Sequence, residues 1–297
     1  MIIIRISGGL GNQMFQYCLG RNLSLKNKVG LVFDTSNYSS EKNRFFGLNN
    51  FNINGKEMTE NDIKSIKIPN ITDKSILGRF KRKTFRLIEV FKPISQKKFI
   101  IESDYTFSPE VLSIKNDNIY LSGIWQSEKY FTDISDIIRK EFSLKNKLSD
   151  NAIIFSNEIE NSESVSIHIR RGDYINNQKT SAFHGTCSLD YYKEATNLIE
   201  KKVKNPKYFI FSDDVEWVKN NLMLSHPAVY VSGNNLPDYE EMILMSKCKH
   251  NIIANSSFSW WSAWLNDNPQ KIVIAPKKWF NSDTNTKDLI LESWLTI

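Results

Sequence analysis

Cysteine is scarce in this 297-residue chain, and its pattern excludes small cross-linked folds. Cys18, Cys187 and Cys248 are widely separated and form no C-x-x-C pair, so we expect neither a disulfide framework nor a zinc knuckle. Long apolar runs are also absent: no segment approaches the ~20 residues of a membrane-spanning helix. Arg5 interrupts the apolar N-terminus before a secretory leader could form. These features predict a cytoplasmic protein.

Motifs that identify several common enzyme classes are missing as well. The sequence contains no G-x-x-x-x-G-K-[ST], G-x-S-x-G, H-E-x-x-H or D-x-D, and its four histidines do not cluster. A metal–nucleotide clamp of the D-x-D type therefore has no obvious ligands. A bound diphosphate would be neutralised by arginines and helix N-termini.

Positive charge is present but concentrated in one stretch. The formal net charge is +6, and residues 74–98 hold nine of the 39 Lys and Arg residues against one of the 33 acids. The remainder has 30 basic and 32 acidic residues, so it lacks the broad basic face of a nucleic-acid-binding protein. We therefore expect no nucleic-acid partner.

Apolar strand patterns alternate with helical patterns, which is typical of parallel sheets covered by helices. In the first half, strands are predicted near residues 2–6, 31–33, 99–101 and 119–121, with helices near 12–26 and 127–140. In the second half, strands near 164–170, 208–211, 229–231, 251–254 and 272–274 alternate with helices near 189–203, 215–222, 238–248 and 258–265. The polar stretch 145–163 indicates a boundary, and we predict domains at residues 1–155 and 156–297.

The first predicted strand ends in a glycine loop, and ligands of open α/β sheets bind at such carboxyl ends. Residues 8–14 (GGLGNQM) run directly into a helix, and their glycines permit close backbone approach to an anion. The loop resembles a dinucleotide fingerprint, with Asp34 near the place of a ribose-binding acid, but Met14 replaces the third glycine. A nicotinamide-dependent oxidoreductase is one hypothesis, and a plain tight turn is another.

The strand predicted at residues 164–170 alternates strictly between polar and apolar residues. His168 and Arg170 therefore point to one face, and Arg171 and Asp173 follow the strand. A polar face on a helix-covered strand is costly unless a charged ligand binds there. Two adjacent arginines suit phosphate oxygens. The simpler interpretation is a structural ion pair between one arginine and Asp173.

Two further strand ends carry polar residues. Asp213 and Asp214 follow the strand at 208–211 and could accept hydrogen bonds from a guanine or a ribose. Ser256, Ser257 and Phe258 open a helix, where hydroxyl and backbone donors can hold an anion. Helix capping is the simpler interpretation at both ends. The tryptophans that follow are predicted to lie in the core.

Four segments together resemble one enzyme family. Residues 8–17 (GGLGNQMFQY), 123–131 (GIWQSEKYF), 168–174 (HIRRGDY) and 256–261 (SSFSWW) are similar to bacterial α-1,2-fucosyltransferases of glycosyltransferase family 11. The matches span most of the chain in the expected order. The resemblance implies a GT-B type fold, in which two Rossmann-like, doubly wound α/β domains face each other across a cleft.

The same resemblance implies an inverting, metal-independent transfer of L-fucose from GDP-fucose to the 2-hydroxyl of a galactose in a glycan, with no cofactor. The glycan would be an O-antigen or another surface glycan, with a lipid-linked acceptor as one hypothesis. The first domain would be the acceptor side and the second the donor side, with Arg170 at the β-phosphate. The catalytic base stays unassigned, with Asp173 and His168 as candidates. The implied site residues are Gly11, Asn12, Gln13, His168, Arg170, Arg171, Asp173, Asp213, Asp214, Ser256, Ser257 and Phe258, of which Arg170, His168, Asn12 and Asp173 would be catalytic.

The basic stretch predicts an amphipathic helix at residues 76–91. Its apolar residues share one side, and Arg79, Arg82, Lys83 and Arg86 share the other. The simpler interpretation is a surface helix packed on its own domain with a solvated basic face. The functional hypothesis is peripheral contact with an anionic membrane, at the inner face of the cytoplasmic membrane. A non-catalytic basic module that binds nucleic acid or membrane is the corresponding alternative function.

Overall fold

The computed structural model describes residues 1–39, 44–62, 75–116, 118–172 and 178–297. They form two compact units: residues 1–145 with 287–289, and residues 146–286 with 290–297. Each unit has one sheet whose described strand pairs are all parallel, as the buried apolar strand patterns predict. The division predicted between residues 155 and 156 falls inside the first helix of the second unit.

The sheet of the first unit is built around β1, which pairs with β2 on one side and β5 on the other. Its strand order is β3-β2-β1-β5-β4. The strands are β1 (Ile2–Arg5), β2 (Leu31–Asp34), β3 (Lys56–Glu57), β4 (Phe99–Ile101) and β5 (Ile119–Ser122), and the helices are α1 (Leu10–Asn27), α2 (Ile76–Val90), α3 (Pro109–Leu112) and α4 (Ser135–Glu141).

The second sheet is built around β6, which lies between β7 and β9 in the order β11-β10-β9-β6-β7-β8. Its strands are β6 (Ser164–Ile169), β7 (Lys207–Ser212), β8 (Ala228–Tyr230), β9 (His250–Ile252), β10 (Val273–Ala275) and β11 (Leu295–Thr296). The helices are α5 (Asp150–Glu160), α6 (Gln178–His184), α7 (Leu189–Glu200), α8 (Val215–Asn221), α9 (Asp238–Lys247) and α10 (Ser257–Leu265).

Side-chain caps fix where several of these helices begin. Ser149, Ser188 and Ser256 each accept a hydrogen bond from a backbone N–H in the first turn of α5, α7 and α10. Trp260 and Trp264 of α10 are buried, as their spacing predicts. All nine predicted strands are present. The structure adds β3 and β11, two-residue strands too short to give a sequence pattern.

The single helix predicted at residues 127–140 is wrong. The segment forms two 3₁₀ turns, Glu128–Tyr130 and Thr132–Ile134, before α4 begins. Phe131 separates the turns with φ −144° and ψ 12°, outside the helical region. Its ring is fully buried and packs 6.4 Å from the ring of Phe15. This tertiary contact is made in a conformation that interrupts the helix.

Helix α2 packs on its own unit through Gly78, Phe85 and Glu89. The Glu89 carboxylate accepts hydrogen bonds from the N–H groups of Lys98 and Phe99, and the Phe85 ring packs edge-on against Phe99. It is therefore a surface helix, as the simpler interpretation predicts, but its apolar stripe faces outward. The members of this stripe are each 54–87% exposed: Ile76, Leu77, Phe80, Leu87, Ile88 and Phe91. Among the described helices, none combines the length and apolar character needed to cross a bilayer.

Candidate active site at the strand ends

The pairing of β6 with β7 brings together the polar residues that follow these strands. Ile169 is in register with Ser212, so the two strands end side by side. The Nε of Arg170 lies 3.1 Å from Oδ2 of Asp213. The backbone N–H of Arg171 donates to Oδ1 of the same carboxylate at 2.8 Å. Asp213 therefore orients both the side chain of Arg170 and the backbone that follows it.

The structural ion pair predicted for these arginines involved Asp173, which lies outside the described residues. Among the residues that the structure describes, Asp213 is a carboxylate partner of Arg170. The chain passes close to this carboxylate at Gly172, where an added Cβ would stand 2.9 Å from Oδ2 of Asp213. A side chain at residue 172 would therefore push the carboxylate away from Arg170.

Arg171 is less exposed than Arg170, and its guanidinium stacks on an aromatic ring. Its guanidinium carbon lies 3.4 Å from the ring centre of Trp217, and its Nε lies 3.4 Å from Oδ2 of Asp214. Asp214 also caps α8, because its Oδ1 accepts a hydrogen bond from the N–H of Trp217. The Arg171 side chain is 17% exposed and that of Arg170 is 32% exposed. Arg170 is thus the better placed of the two to meet a ligand.

His168 is the last inward-facing polar residue of β6, and its imidazole is buried and neutral. Burial, and secondarily the charge of Arg170, lower its pKa to about 3. Its Nδ1 is buried and has no hydrogen-bond partner. The ring packs 5.6 Å from the ring of Phe258. A group whose conjugate acid has a pKa of about 3 is a weak base at neutral pH.

The start of α10 completes this edge of the sheet. Ser256 is buried and its hydroxyl accepts a hydrogen bond from the N–H of Phe258, so the predicted capping interaction is present. Ser257 and Phe258 are half-buried in the first turn. The second unit thus brings together at one sheet edge His168, Arg170, Arg171, Asp213, Asp214 and Phe258.

Two carboxylates at the start of α9 belong to the same edge and were not predicted. Oδ1 of Asp238 is buried without a hydrogen-bond partner, and burial raises the pKa of this carboxyl above its usual value. Burial, together with the charges of Asp238 and Asp213, raises the pKa of Glu241 to about 7. A hydrogen bond from Ser232 opposes this shift. They follow β8, so the rule that ligands bind at strand ends could have found them.

We expect Glu241→Gln to stabilise the protein more at pH 8 than at pH 5.5. With a folded-state pKa raised to about 7, Glu241 binds protons more tightly in the folded chain, so stability falls as pH rises from about 4.5 to 7. Glutamine does not titrate, and the difference in the free energy of unfolding should grow by about 1–3 kcal/mol between the two pH values. Urea unfolding measures it, with exposed Glu216→Gln as the control. An equal effect at both pH values would contradict the burial of this carboxylate.

In the first unit, the glycine loop after β1 is built as a tight turn. Gly8 has φ +78°, and a Cβ there would stand 2.8 Å from Nδ2 of Asn12. Gln13 is buried: its amide donates to the carbonyls of Gly8 and Phe45 and accepts from the N–H of Gly47. Gln13 therefore secures the loop from behind. Gly11 is buried in the first turn of α1.

Asn12 is half-buried in the first turn of α1, and its side chain bonds to the loop that follows β5. Its Oδ1 accepts a hydrogen bond from Nε2 of Gln126 at 2.9 Å. Gln126 is 7% exposed, and its Oε1 is buried without a partner. The loop between β5 and the first 3₁₀ turn therefore positions the amide of Asn12.

Asp34 does not fit the role of a ribose-binding acid. It is fully buried, and its carboxylate accepts hydrogen bonds from the hydroxyl of Tyr120 and the N–H of Ser36. These contacts fix the end of β2 in the core. The oxidoreductase hypothesis requires a third glycine, which Met14 replaces, and a ribose-binding acid, which Asp34 does not provide.

Glu102 follows β4 at the carboxyl edge of the first sheet, and it was not predicted from the sequence as a site residue. Its Oε2 accepts from the N–H of Ile124 at 2.6 Å, and its Oε1 from the N–H of Trp125 at 2.9 Å. Burial raises the pKa of Glu102 to about 7; these two hydrogen bonds lower it, and the charge of Asp104 raises it further. The sequence signal was weak because β4 has only three residues.

The whole chain, residues 1–297, matches the profile of glycosyl transferase family 11. The O-antigen biosynthesis glycosyltransferase WbnK of Escherichia coli is 36% identical over 98% of this chain and 99% of its own length. An α-1,2-colitosyltransferase of Escherichia coli is 33% identical over 100% and 99%. The human galactoside α-(1,2)-fucosyltransferase 1 is 25% identical over 53% of this chain and 46% of its own length.

Solved structures show the same fold at low sequence identity. The α-1,6-fucosyltransferase NodZ, an enzyme from Bradyrhizobium, superimposes in its GDP-fucose-soaked structure with a TM-score of 0.53 at 12% identity, covering 92% of this chain and 94% of NodZ. An Arabidopsis thaliana FUT1 variant in complex with GDP gives 0.51 at 10% identity, covering 95% and 72%. The fold is GT-B, as the motifs imply. The match along its whole length and the two full-length relatives show that this chain is a glycosyltransferase and belongs to glycosyltransferase family 11.

Proposed function

We propose that this enzyme transfers L-fucose from GDP-fucose to the 2-hydroxyl of a galactose in a glycan, with inversion at C1 of the fucose. The names of its relatives support a 1,2-linked deoxyhexose and, for one of them, a galactoside acceptor. One observation supports a donor site in the second unit: Arg170, His168 and Phe258 lie together at the carboxyl end of β6.

Colitose is the alternative donor sugar, because the colitosyltransferase relative aligns along the full chain. Colitose lacks the 3-hydroxyl of fucose, so the two donors differ by one polar group. Incubation of the enzyme and a galactoside with equal amounts of GDP-fucose and GDP-colitose, read by product mass, separates them. We expect the fucosylated product to predominate. A product carrying only colitose would show that colitose is the donor sugar, and the reaction class would stay the same.

The charge that must be stabilised supports the role of Arg170. As the bond between C1 and the diphosphate breaks, negative charge develops on the leaving oxygen. A preorganised cation at that point lowers the barrier because it requires no reorganisation during the reaction. Asp213 preorganises Arg170 through the contact at Nε, and Arg171 adds a second positive charge stacked on Trp217.

Asp238 is our candidate for recognition of guanine. Guanine presents N–H donors on its Watson–Crick edge, and the buried Oδ1 of Asp238 is an acceptor without a partner. Asp238→Asn keeps the shape of the side chain but removes its charge. We expect the Kd for GDP, measured by calorimetry, to rise about tenfold, which corresponds to about 1.4 kcal/mol. An unchanged Kd would remove Asp238 from the nucleotide site.

We propose that the transfer requires no metal ion, because arginines and the N-terminus of α10 supply the positive charge. Within the residues that the structure describes, His, Cys, Asp and Glu side chains form no group of three or more that could hold a metal ion. We expect full activity in excess EDTA. Loss of activity on chelation, restored by a divalent cation, would contradict this part of the proposal.

We also propose that the enzyme works in the cytoplasm at the inner face of the cytoplasmic membrane, on a lipid-linked acceptor for O-antigen or another surface glycan. The relative named for O-antigen biosynthesis supports this setting. The structural support is α2. Its outward apolar stripe includes Leu77 and Phe80, and the exposed cations Arg79, Lys81 and Lys83 lie beside that stripe. An apolar face flanked by cations is complementary to an anionic bilayer surface.

Vesicle sedimentation tests this contact. Wild-type protein should bind vesicles of phosphatidylcholine with phosphatidylglycerol, and binding should fall when Arg79, Lys81 and Lys83 are changed to Glu, or Leu77 and Phe80 to Ser. The matched control changes three exposed lysines of the second unit to Glu: Lys201, Lys202 and Lys204. Binding that is absent in the wild type, or equally reduced in the control, would reject α2 as the docking surface. Self-association that Leu77→Ser and Phe80→Ser abolish would assign the stripe to a second copy of the chain.

A further inference from the structure

The proposed transfer leaves one proton unassigned. The acceptor hydroxyl must lose a proton as its oxygen attacks C1 of the sugar, and a positioned side chain usually accepts it. His168 is buried and holds its proton weakly, with a pKa of about 3. Asp173 lies outside the described residues. The carboxyl edge of the first sheet holds another carboxylate that could accept this proton, Glu102.

We propose that Glu102 is the general base that accepts the proton of the acceptor hydroxyl. The inference rests on the proposed function and adds to it a residue at the end of β4. The end of β4 lies beside the end of β5, since Ile101 pairs in register with Ser122. Carboxyl ends of strands are where open α/β sheets bind their ligands.

The position of the Glu102 carboxylate is fixed by the backbone of the neighbouring loop. Both oxygens accept a backbone N–H, from Ile124 and Trp125. Each carboxylate oxygen has a second lone pair, so the group can accept a further hydrogen bond. The contact is close at Gly123, where a Cβ would stand 2.4 Å from Cβ of Glu102. The base is thus held in place while its proton-accepting capacity is retained.

The electrostatic surroundings suit a base that works near neutral pH. Burial is the largest cause that raises the pKa of Glu102 to about 7, and Asp104 adds to it. Among the described residues, the phenols of Tyr105 and Tyr130 also interact with Glu102, and their pKa values are raised by burial and by this carboxylate. Catalysis by a base is most effective when its pKa is close to the working pH.

The same loop connects Glu102 to Asn12, the residue that the family resemblance places at the reaction centre. Trp125 adopts φ +63°, an uncommon conformation for a bulky residue, and strain of this kind is concentrated at functional sites. Gln126, the next residue, donates to Oδ1 of Asn12. Glu102 and Asn12 therefore contact the same loop, Glu102 through two backbone N–H groups and Asn12 through the side chain of Gln126.

The step balances without another reactant. The acceptor O–H bond breaks and its proton moves to a carboxylate oxygen of Glu102, while the oxygen forms a bond to C1 of the sugar. The bond between C1 and the diphosphate oxygen breaks, and its electron pair leaves with GDP. Product release and loss of the proton to water return Glu102 to its starting state.

The pH profile of Glu102→Gln tests the assignment. In the wild type, we expect kcat/KM for the acceptor to rise with pH through an apparent pKa of about 7. In Glu102→Gln it should fall about 10²–10³-fold, within the range for loss of a general base, and lose this acidic limb. Glu216→Gln, which removes an exposed carboxylate of the second unit, should keep both the activity and the limb. Glu102→Ala should regain activity when formate is added. Such rescue would show that the loss of activity is not purely structural.

Three outcomes would overturn the assignment: wild-type activity in Glu102→Gln, an acidic limb that persists in the variant, or a rise in KM alone without rescue by formate. An unchanged Kd for GDP in each variant shows that the donor side is folded. If the wild-type enzyme itself transfers no sugar from a GDP donor, the proposed function fails. If the wild type is active and the variant behaves like it, only the role of Glu102 fails.

Discussion

Replacing Arg170 with alanine is expected to lower kcat/KM for GDP-fucose about 10²–10³-fold, the usual cost of removing one preorganised electrostatic contact to a developing charge. The side chain is held by Asp213 at 3.1 Å and is the more exposed arginine of the pair after β6. Most of the loss should appear in kcat, because the charge on the leaving diphosphate is larger in the transition state than in the bound donor.

Arg170→Lys separates charge from geometry. Lysine keeps the positive charge but lacks the planar fork, so we expect it to recover only part of the activity. Lys219→Ala is the matched control, because Lys219 is an exposed cation of the same unit that pairs with Glu216. Steady-state kinetics with varied donor measure all three variants. An Arg170→Ala enzyme with the wild-type kcat would show that another group stabilises the leaving diphosphate.

His168→Phe is expected to make the protein more stable and less active. The buried Nδ1 has no partner, and an unsatisfied buried polar atom costs about 1–3 kcal/mol. Phenylalanine removes that cost and keeps the contact with Phe258. We expect the imidazole at the end of β6 to hydrogen-bond the donor, so kcat/KM should fall about 10–100-fold.

Paired measurements decide the role of His168. Thermal or urea unfolding gives the change in stability, and donor kinetics give the change in activity on the same preparation. A less stable variant would indicate that the ring nitrogens make hydrogen bonds that support the fold. An equally active variant would show that the imidazole does not contact the donor.

Much of the fold could be predicted because parallel strands are buried on both faces. β1 begins with a short apolar run, and β6 alternates between apolar and polar residues; both patterns are clear in the sequence. The outward orientation of the α2 stripe could not be predicted, because periodicity identifies an apolar face but not what covers it. The 3₁₀ turns before α4 depend on the burial of Phe131, which is a tertiary contact.

The candidate site was predicted only in part, because motifs identify residues near strand ends but not the contacts that those residues make. Arg170 and Asp213 were found because each follows a strong strand, and the register of β6 with β7 brings them together. The resemblance implied Gln13 as a site residue, and in the structure its amide makes hydrogen bonds inside the first unit. Asp238 and Glu102 were missed. Their distinguishing features, an unpartnered oxygen and a raised pKa, result from tertiary burial and leave no pattern in the sequence.

Linkage analysis of the wild-type product tests the central claim most directly. The enzyme is incubated with GDP-fucose and a galactoside, and the product is examined by mass spectrometry and by NMR of the anomeric proton. We predict the addition of one deoxyhexose, α-linked to the 2-hydroxyl of galactose, with GDP released in equal amount. A product with the opposite anomeric configuration, or no transfer from any GDP-linked deoxyhexose to a galactoside, would contradict it.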